Sequence, residues 1–262
     1  MAKSAKLGQN FLHDKNIAKK IINAFLPKPG PVLEIGAGPG ILSAMLLDKI
    51  PAGMLTLVEI DRFLAQRLRE RFGERLRVVE RDILDIDLAE LFPNQPVAVI
   101  GNLPYHISKA LVDWFIAQRR SISSAVLMLQ KDFVDKLLAS AGSKKYNAQS
   151  VVFQLLFHCR RCFNVSAGAF TPAPRIMSTV LTVSPAPAPA QAAGKDFYDF
   201  VKLSFSERRK TLMNNLAPDF DKNKLSAAIT ACGFSEQARA EQLPAETFLT
   251  LFTVLNTGAA GR

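Results

Sequence analysis

Two short stretches of the 262-residue chain carry residue types that do more than fold it: Glu34-Ile35-Gly36-Ala37-Gly38-Pro39-Gly40 and Asn102-Leu103-Pro104-Tyr105. In the first, glycines at every second position follow an apolar run, so the backbone can turn sharply and lie against a ligand. Alone, such a turn is only a tight strand-to-helix connection. Two further sites sharpen it. Glu59, in Glu59-Ile60-Asp61, stands roughly 20 residues on, where an acid can bind both ribose hydroxyls of a nucleoside cofactor. Asp82 follows the next apolar run and suits an adenine amino group or a donor beside it. Each carboxylate could instead cap a helix or face solvent. Glu59, Asp61 and Asp82 at successive strand ends favour a ligand.

The turn lacks the Lys-Ser/Thr of a phosphate-binding loop, which argues against ATP or GTP hydrolysis, and its spacing departs from the dinucleotide pattern G-x-G-x-x-G. S-adenosylmethionine has an adenosine and an amino-acid tail but no phosphate. It needs glycines and acids without basic clamps, and that is what the sequence offers.

The second stretch ends an apolar run, Val97-Ala98-Val99-Ile100, with an amide, a proline and an aromatic. Asn102 offers a carbonyl acceptor, Pro104 stiffens the turn so that the Leu103 carbonyl points the same way, and Tyr105 offers a flat face. An exocyclic adenine amine is a poor nucleophile because its lone pair is delocalised into the ring. Two acceptors gripping its hydrogens favour a more pyramidal nitrogen and fix its line of attack on a methyl–sulfonium carbon, with no side-chain base required. Stacking on Tyr105 adds roughly 1–3 kcal/mol for an unstacked base. The plain alternative is an Asn-x-Pro turn after a strand; the glycine turn and the acids tip the balance toward chemistry.

Positioning these groups requires a sheet. Val32–Ile35, Leu55–Ile60, Leu76–Val79, Val97–Ile100 and Ala125–Leu129 are near-continuously apolar, and Ile41–Ile50, Arg62–Phe72, Ser108–Arg119 and Asp132–Ser140 between them have helical spacing. That alternation predicts an α/β fold with a parallel sheet covered on both faces. A helix over Ala148–Phe157 and two strand-like runs, Cys159–Val165 and Thr179–Val183, predict an antiparallel pair at the edge. The Pro/Ala tract 185–194 cannot form a helix or central strand and marks a linker between a domain over 1–184 and an all-α domain over 195–262.

The net charge of +10 is uneven. Residues 1–30 carry six Lys/Arg against one acid and residues 94–194 ten against three, whereas 31–93 carry eight against eleven. Two basic blocks around a neutral middle fit a face that meets phosphates. No apolar run approaches a membrane span, and the basic start MAKSAKLGQN has no apolar core behind it, so neither membrane nor secretory targeting is expected. Three cysteines make no disulfide framework, which points to a reducing, cytoplasmic setting. Cys159 and Cys162, three apart on a strand, would face opposite sides; no metal site is expected there.

With these residues in view the sequence resembles the ribosomal RNA adenine N6,N6-dimethyltransferases, specifically the small-subunit branch. Gly8-Gln9-Asn10-Phe11-Leu12, Glu34–Gly40, Glu59-Ile60-Asp61, Asp82, Asn102-Leu103-Pro104-Tyr105, Ala169-Phe170-Thr171-Pro172-Ala173-Pro174-Arg175 and Arg208-Arg209-Lys210-Thr211-Leu212 carry the resemblance, almost end to end. It implies a class I, Rossmann-like methyltransferase fold: a mostly parallel seven-stranded sheet with an antiparallel edge, plus a small helical domain that meets RNA. It implies transfer of methyl groups from S-adenosylmethionine to two adjacent adenosines in a hairpin loop near the 3′ end of small-subunit rRNA, within an immature subunit, by a monomer.

By that pattern Asn10, Leu12, Gly36, Ala37, Gly38, Glu59, Ile60, Asp82, Ile83 and Asn102 hold the cofactor. Asn102, Leu103, Pro104 and Tyr105 carry the chemistry, and Phe170 stacks opposite Tyr105 on the target base. Arg208, Arg209, Lys210, Lys144 and Lys145 are the expected RNA contacts. His106 stands where Asn is usual, and Ala173 sits in a run that is often all proline; neither touches the groups assigned to chemistry. A large-subunit rRNA dimethyltransferase and a non-catalytic RNA binder are the competing readings. Leu103 and the Phe170–Pro174 run lean against the first, and the retained Asn102, Tyr105, Glu59 and Asp82 against the second.

Overall fold

A computed structural model describes residues 9–25, 27 and 29–256. Gly8, at the head of the N-terminal signature, lies outside the described residues. The chain divides into two compact units, residues 1–134 with 158–185 and residues 135–157 with 186–262.

The first unit is built on a seven-stranded sheet of order β4-β3-β2-β5-β6-β9-β7. Its strands are β2 (Val32–Ile35), β3 (Leu55–Glu59), β4 (Arg77–Glu80), β5 (Val97–Asn102), β6 (Ile122–Gln130), β7 (Phe157–Val165) and β9 (Ser178–Pro185). Helices α1 (Lys15–Ala24), α2 (Ile41–Leu46), α3 (Arg62–Phe72), α4 (Leu88–Leu91) and α5 (Ser108–Ala117) alternate with them, and α6 (Lys131–Leu137) follows β6. All residues of β2 and β3, and Val97 to Gly101 of β5, are buried. Covering both faces is worth roughly 1.5–3 kcal/mol for each large apolar side chain, which is why these strands read as unbroken apolar runs.

Parallel pairing runs outward from β2 in two directions, to β3 and β4 on one side and to β5 and β6 on the other. The order therefore reverses between β2 and β5, with Ile35 opposite Gly101 at their carboxyl ends. A reversal of this kind opens a crevice at the strand ends, and the glycine turn and Asn102 both emerge there. β9 pairs antiparallel with β6. β7 lies beyond β9, with Thr179 Oγ1 donating to Asn164 Oδ1 and Thr182 Oγ1 to the Arg160 carbonyl. Residue numbers thus rise on one strand as they fall on the other, and the expected antiparallel edge is present.

One element had no periodicity to announce it. β1 (Phe11–Leu12) pairs antiparallel with β8 (Phe170–Thr171), Phe11 opposite Thr171 and Leu12 opposite Phe170. The His13 N–H donates to the Ala169 carbonyl at 3.0 Å and extends the ladder.

The second unit is helical: α7 (Ala148–Leu156), α8 (Lys195–Ser204), α9 (Leu212–Leu216), α10 (Lys222–Ala231) and α11 (Ala245–Asn256). α7 packs on α8 and α11. Tyr146, Phe153, Phe197 and Phe248 are fully buried, and Phe205 stacks on Phe248. This differs from the sequence-based division, which assigned 135–157 to the first domain. α7 buries Ser150, Val151, Val152, Phe153 and Leu156, so it needs neighbours on most of its surface and finds them among helices far along the chain. The tract 185–194 also differs from a bare linker. It holds a 3-10 turn at Ala190–Ala193, and Ala186 and Ala192 are buried.

Candidate active site

The turn after β2 and the carboxyl ends of β3 to β5 enclose a cleft of roughly 830 Å³ including its mouth, lined by Gln9, Asn10, Gly36, Gly38, Glu59, Ile60, Asp82, Ile83, Asn102 and Tyr105 among others. Gly38 has φ +56°, and a Cβ there would meet the Phe11 ring at 3.1 Å. Its N–H donates to Glu59 Oε2 at 2.9 Å, while the Asp61 N–H donates to Oε1 at 3.0 Å. The side chain thus joins the glycine turn to the end of β3. Burial pushes the Glu59 carboxyl above its ordinary range, against the pull of these backbone donors.

Glu34 lies deeper, on β2. It is buried, accepts a 2.6 Å hydrogen bond from Ser43 Oγ, and burial raises it to about 8, with a smaller push from Glu59. Burial thus raises both neighbouring carboxyls. Backbone donors pull against it at Glu59, whereas Glu34 has the Ser43 hydroxyl and is held protonated at neutral pH.

Asp61 caps α3, accepting from the N–H groups of Phe63 and Leu64. Asp82 accepts from the Leu84 N–H at the start of the 3-10 turn Ile83–Asp85, yet also lines the cleft. Of the acids singled out from sequence, Asp61 is the one whose side chain is committed to a helix end. Ile60 is 50% exposed beside Glu59, and Ile83 is buried beside Asp82.

On the opposite wall Asn102 ends β5. Its Nδ2 donates to the Asn10 carbonyl at 3.1 Å. With the NH2 group so engaged, the amide oxygen is the end left to accept. The Leu103 side chain is buried, and the Leu103 backbone N–H donates to the Met128 carbonyl, which fixes the peptide joining Asn102 to Leu103. Pro104 starts a 3-10 turn, Tyr105–Ile107, in which His106 is exposed at the cleft. Tyr105 is half-buried, and its hydroxyl lies 2.7 Å from Ser178 Oγ. An anchored amide, a stiff turn and a tethered aromatic ring stand together across from the cradle formed by Gly38 and Glu59.

The family model described as ribosomal RNA adenine dimethylase matches residues 2–257. The chain belongs to that family. It is 39% identical over 256 residues to the ribosomal RNA small subunit methyltransferase A of Chlorobium phaeobacteroides, covering 97% of this chain and 94% of the relative. It is 37% identical over 276 residues to the enzyme of the same name from Koribacter versatilis, covering 98% and 96%. A dimethyladenosine transferase from Plasmodium falciparum superposes with a TM-score of 0.79 at 25% identity, over 94% of this chain and 98% of that one. The 23S rRNA methyltransferase ErmE superposes with a TM-score of 0.71 at 28% identity, over 94% and 100%. The Rossmann-like methyltransferase fold expected from the sequence is therefore present, and the protein is an rRNA adenine dimethyltransferase by family.

Other residues expected to act in this dimethyltransferase sit differently from one another. Gly36 and Ala37 lie in the glycine turn, and Leu12 is buried under it in the apolar core. Phe170 is only 3% exposed and packs in the same core as Leu12, Val165 and Ala169, so it does not present the open stacking face expected of it. The reason is β1: pairing Leu12 with Phe170 turns that side chain inward. The loop after it is open instead, with Ala173 exposed and Ile176 and Met177 more than 40% exposed.

In the second unit Arg208 pairs with Glu241 at 2.9 Å, Lys210 with Glu207 at 2.6 Å and Lys145 with Asp135 at 3.3 Å. Arg209 and Lys144 are exposed and have no ion-pair partner among the described residues. Sequence reasoning missed Gln9 and Ser178. Gln9 Oε1 is buried in the cleft wall without a donor among the described residues. Nothing in a lone Gln or Ser signals such a place. It also passed over one face of α1, where Lys15, Asn16, Lys19, Lys20 and Asn23 are all exposed.

Proposed function

We propose that this dimethyltransferase binds S-adenosylmethionine in the cleft and transfers its methyl group to N6 of two adjacent adenosines in the 3′-terminal hairpin loop of small-subunit rRNA, giving N6,N6-dimethyladenosines. The observation that carries the reading is the Asn102 amide at the cleft wall, anchored through Nδ2 to the Asn10 carbonyl, which leaves its oxygen to accept from an incoming amine. The residues present fit the cofactor. The cleft is lined by the glycine turn and by Glu59 and Asp82, and Gln9 Oε1 is a buried acceptor without a donor among the described residues, which an ammonium tail supplies. When bound, S-adenosylmethionine supplies an electrophilic methyl on a sulfonium.

The chain's own groups do the rest. Glu59, its position set by Gly38 and Asp61, accepts from the ribose hydroxyls, and Asp82 and Ile83 hold the adenine. Asn102 Oδ1 and the Leu103 carbonyl accept the two N–H bonds of the target amine and aim its lone pair. Tyr105 stacks on the target base, which a single-stranded loop gives up cheaply. Phe170 reaches that base only by turning out of its packed position, so Ile176 and Met177 supply the apolar surface on that side.

On the RNA, Arg209 and Lys144, which have no ion-pair partner among the described residues, and the lysine face of α1 meet phosphates. α1 begins three residues after Leu12 and has no acid in its first turn. We read the enzyme as a monomer acting in the cytoplasm on an immature subunit; no helix among the described residues is long and apolar enough to cross a membrane.

The test is methyl transfer from labelled S-adenosylmethionine to immature small subunits, with the sites mapped by primer extension. Wild type labels two neighbouring adenosines near the 3′ end, and Asn102→Ala loses orders of magnitude in rate while keeping subunit binding. Label in large-subunit rRNA instead, the target named for the ErmE neighbour, would overturn the substrate. Parallel loss of binding and transfer in Asn102→Ala would overturn its role.

A further inference from the structure

We propose that Ser178 is a positioning residue whose buried hydroxyl fixes the ring of Tyr105, and that the second methyl transfer depends on this tether more than the first. The inference rests on the proposed function of the same site and concerns how far its reaction runs.

Ser178 is fully buried at the first position of β9, and its backbone is in register with Gln130 of β6. The carbonyl of the preceding Met177 accepts from the Lys131 N–H at 2.9 Å. This serine is therefore held on both sides by the sheet and cannot drift. Tyr105 sits in a short 3-10 turn outside the sheet, with its carbonyl accepting from Ser108 Oγ at 3.0 Å. Its phenol oxygen lies 2.7 Å from Ser178 Oγ, across 73 residues of sequence. A tyrosine ring turns about two side-chain bonds. A turn fixes only where the ring starts, and a hydrogen bond at the far end fixes its plane. Burial also pushes the phenol above its ordinary range, so the hydroxyl stays protonated and the bond is available over the whole working pH range.

The consequence follows from counting hydrogens on the substrate. An unmodified adenosine presents two N–H bonds, one each for Asn102 Oδ1 and the Leu103 carbonyl. In each transfer the N–C bond forms as the sulfonium S–CH3 bond breaks, S-adenosylhomocysteine leaves as the thioether, and the nitrogen releases one proton to solvent; after the first, a single N–H remains and a methyl occupies the other place. Half of the hydrogen-bond grip has gone, so the stacking face must orient the base for the second transfer. A ring free to tilt costs that step more than the first. It also lets the ring swing into the space that the existing methyl requires.

The experiment follows both products over time, N6-methyladenosine and N6,N6-dimethyladenosine, by mass spectrometry of nuclease digests of small subunits incubated with S-adenosylmethionine. Ser178→Ala should raise the ratio of mono- to dimethylated product roughly two- to tenfold, the fold-change for a net hydrogen bond. Ser178→Thr, which keeps a hydroxyl, should restore most of the wild-type ratio. Tyr105→Phe removes the same bond from the exposed side and guards against misfolding of a buried variant. It should raise the ratio similarly, and the double variant should be no worse than either single one.

An unchanged ratio in both Ser178→Ala and Tyr105→Phe, even with lower total turnover, would refute the tether and leave the proposed function standing. Fully additive effects would refute it too. A wild-type protein that makes no dimethyladenosine would overturn both readings together.

Discussion

Replacing Glu34 with Gln removes one proton-binding site from inside the sheet while keeping its size and its ability to accept from Ser43. Glu34 is raised by burial from an ordinary 4.5 to about 8. Its folded form therefore holds a proton that the unfolded chain releases through the intervening range. Where the folded state binds more protons, stability falls as pH rises. For Glu34 the loss begins near the unfolded value, continues up to about 8 and then levels off. At about 1.4 kcal/mol per pKa unit the whole effect approaches roughly 5 kcal/mol, of which about 3 kcal/mol falls between about pH 5.5 and about pH 9.

The Gln variant has no such term. Its stability relative to wild type should therefore climb by that amount across the interval. The assay is built into the chain. Trp114 is the only tryptophan, it is buried on α5 in the same unit, and its Nε1 donates to the Ile86 carbonyl. Urea titrations followed by its fluorescence at a series of pH values report the unfolding of that unit. Parallel stability curves for the two proteins would show that Glu34 is ionised in the folded state and that burial does not hold its proton.

Gly40→Ala forces a residue at φ +81° to carry a Cβ 2.9 Å from the Leu68 and Phe72 side chains, and should cost about 1–3 kcal/mol in the same fluorescence titration; an unaltered midpoint would remove the conformational argument. Changing Lys15, Lys19 and Lys20 to Glu should flatten the salt dependence of subunit binding more than changing Arg208 and Lys210. The latter two are already neutralised by Glu241 and Glu207, and each lost phosphate contact takes about 0.7–0.9 from the log–log slope. The reverse ranking would place α1 away from the RNA. Burial pushes the Cys159 thiol up to about 12, so at about pH 8 its alkylation, mapped by mass spectrometry, should be far slower than in urea. Equal rates would mean that β7 does not shield it.

The central strands were legible because burial on both faces leaves continuous apolar runs, and the cofactor side of the site because φ > 0 turns demand glycine. Asn102 and Tyr105 stood out for a related reason: a polar amide and an aromatic ending such a run serve no purpose in a core. What stayed hidden depends on partners far away in sequence. β1 and β8 are two residues each, too short for any periodicity. The resemblance alone put Phe170 on the target base, and nothing in the sequence showed that its pairing with Leu12 accompanies burial. Arg208 and Lys210 looked like free cations; Glu207 was nearby to warn of one pair, but Glu241 was not. The helices of 135–157 follow the same spacing rule as their neighbours, and amphipathicity says that a face is covered without saying by what.

The short ladder between residues 11–12 and 170–171 has a consequence for biosynthesis. Translation delivers Asn10, Phe11 and Leu12 long before Thr171 exists, so the wall that anchors Asn102 has no mate for most of the time the chain is being made. A nascent chain halted before residue 170 can hold the glycine turn and β5, yet it lacks the strand that pins the Asn10 carbonyl in front of them. Competence for methyl transfer therefore arrives late on the ribosome that is making the enzyme, a member of a family that modifies ribosomal RNA.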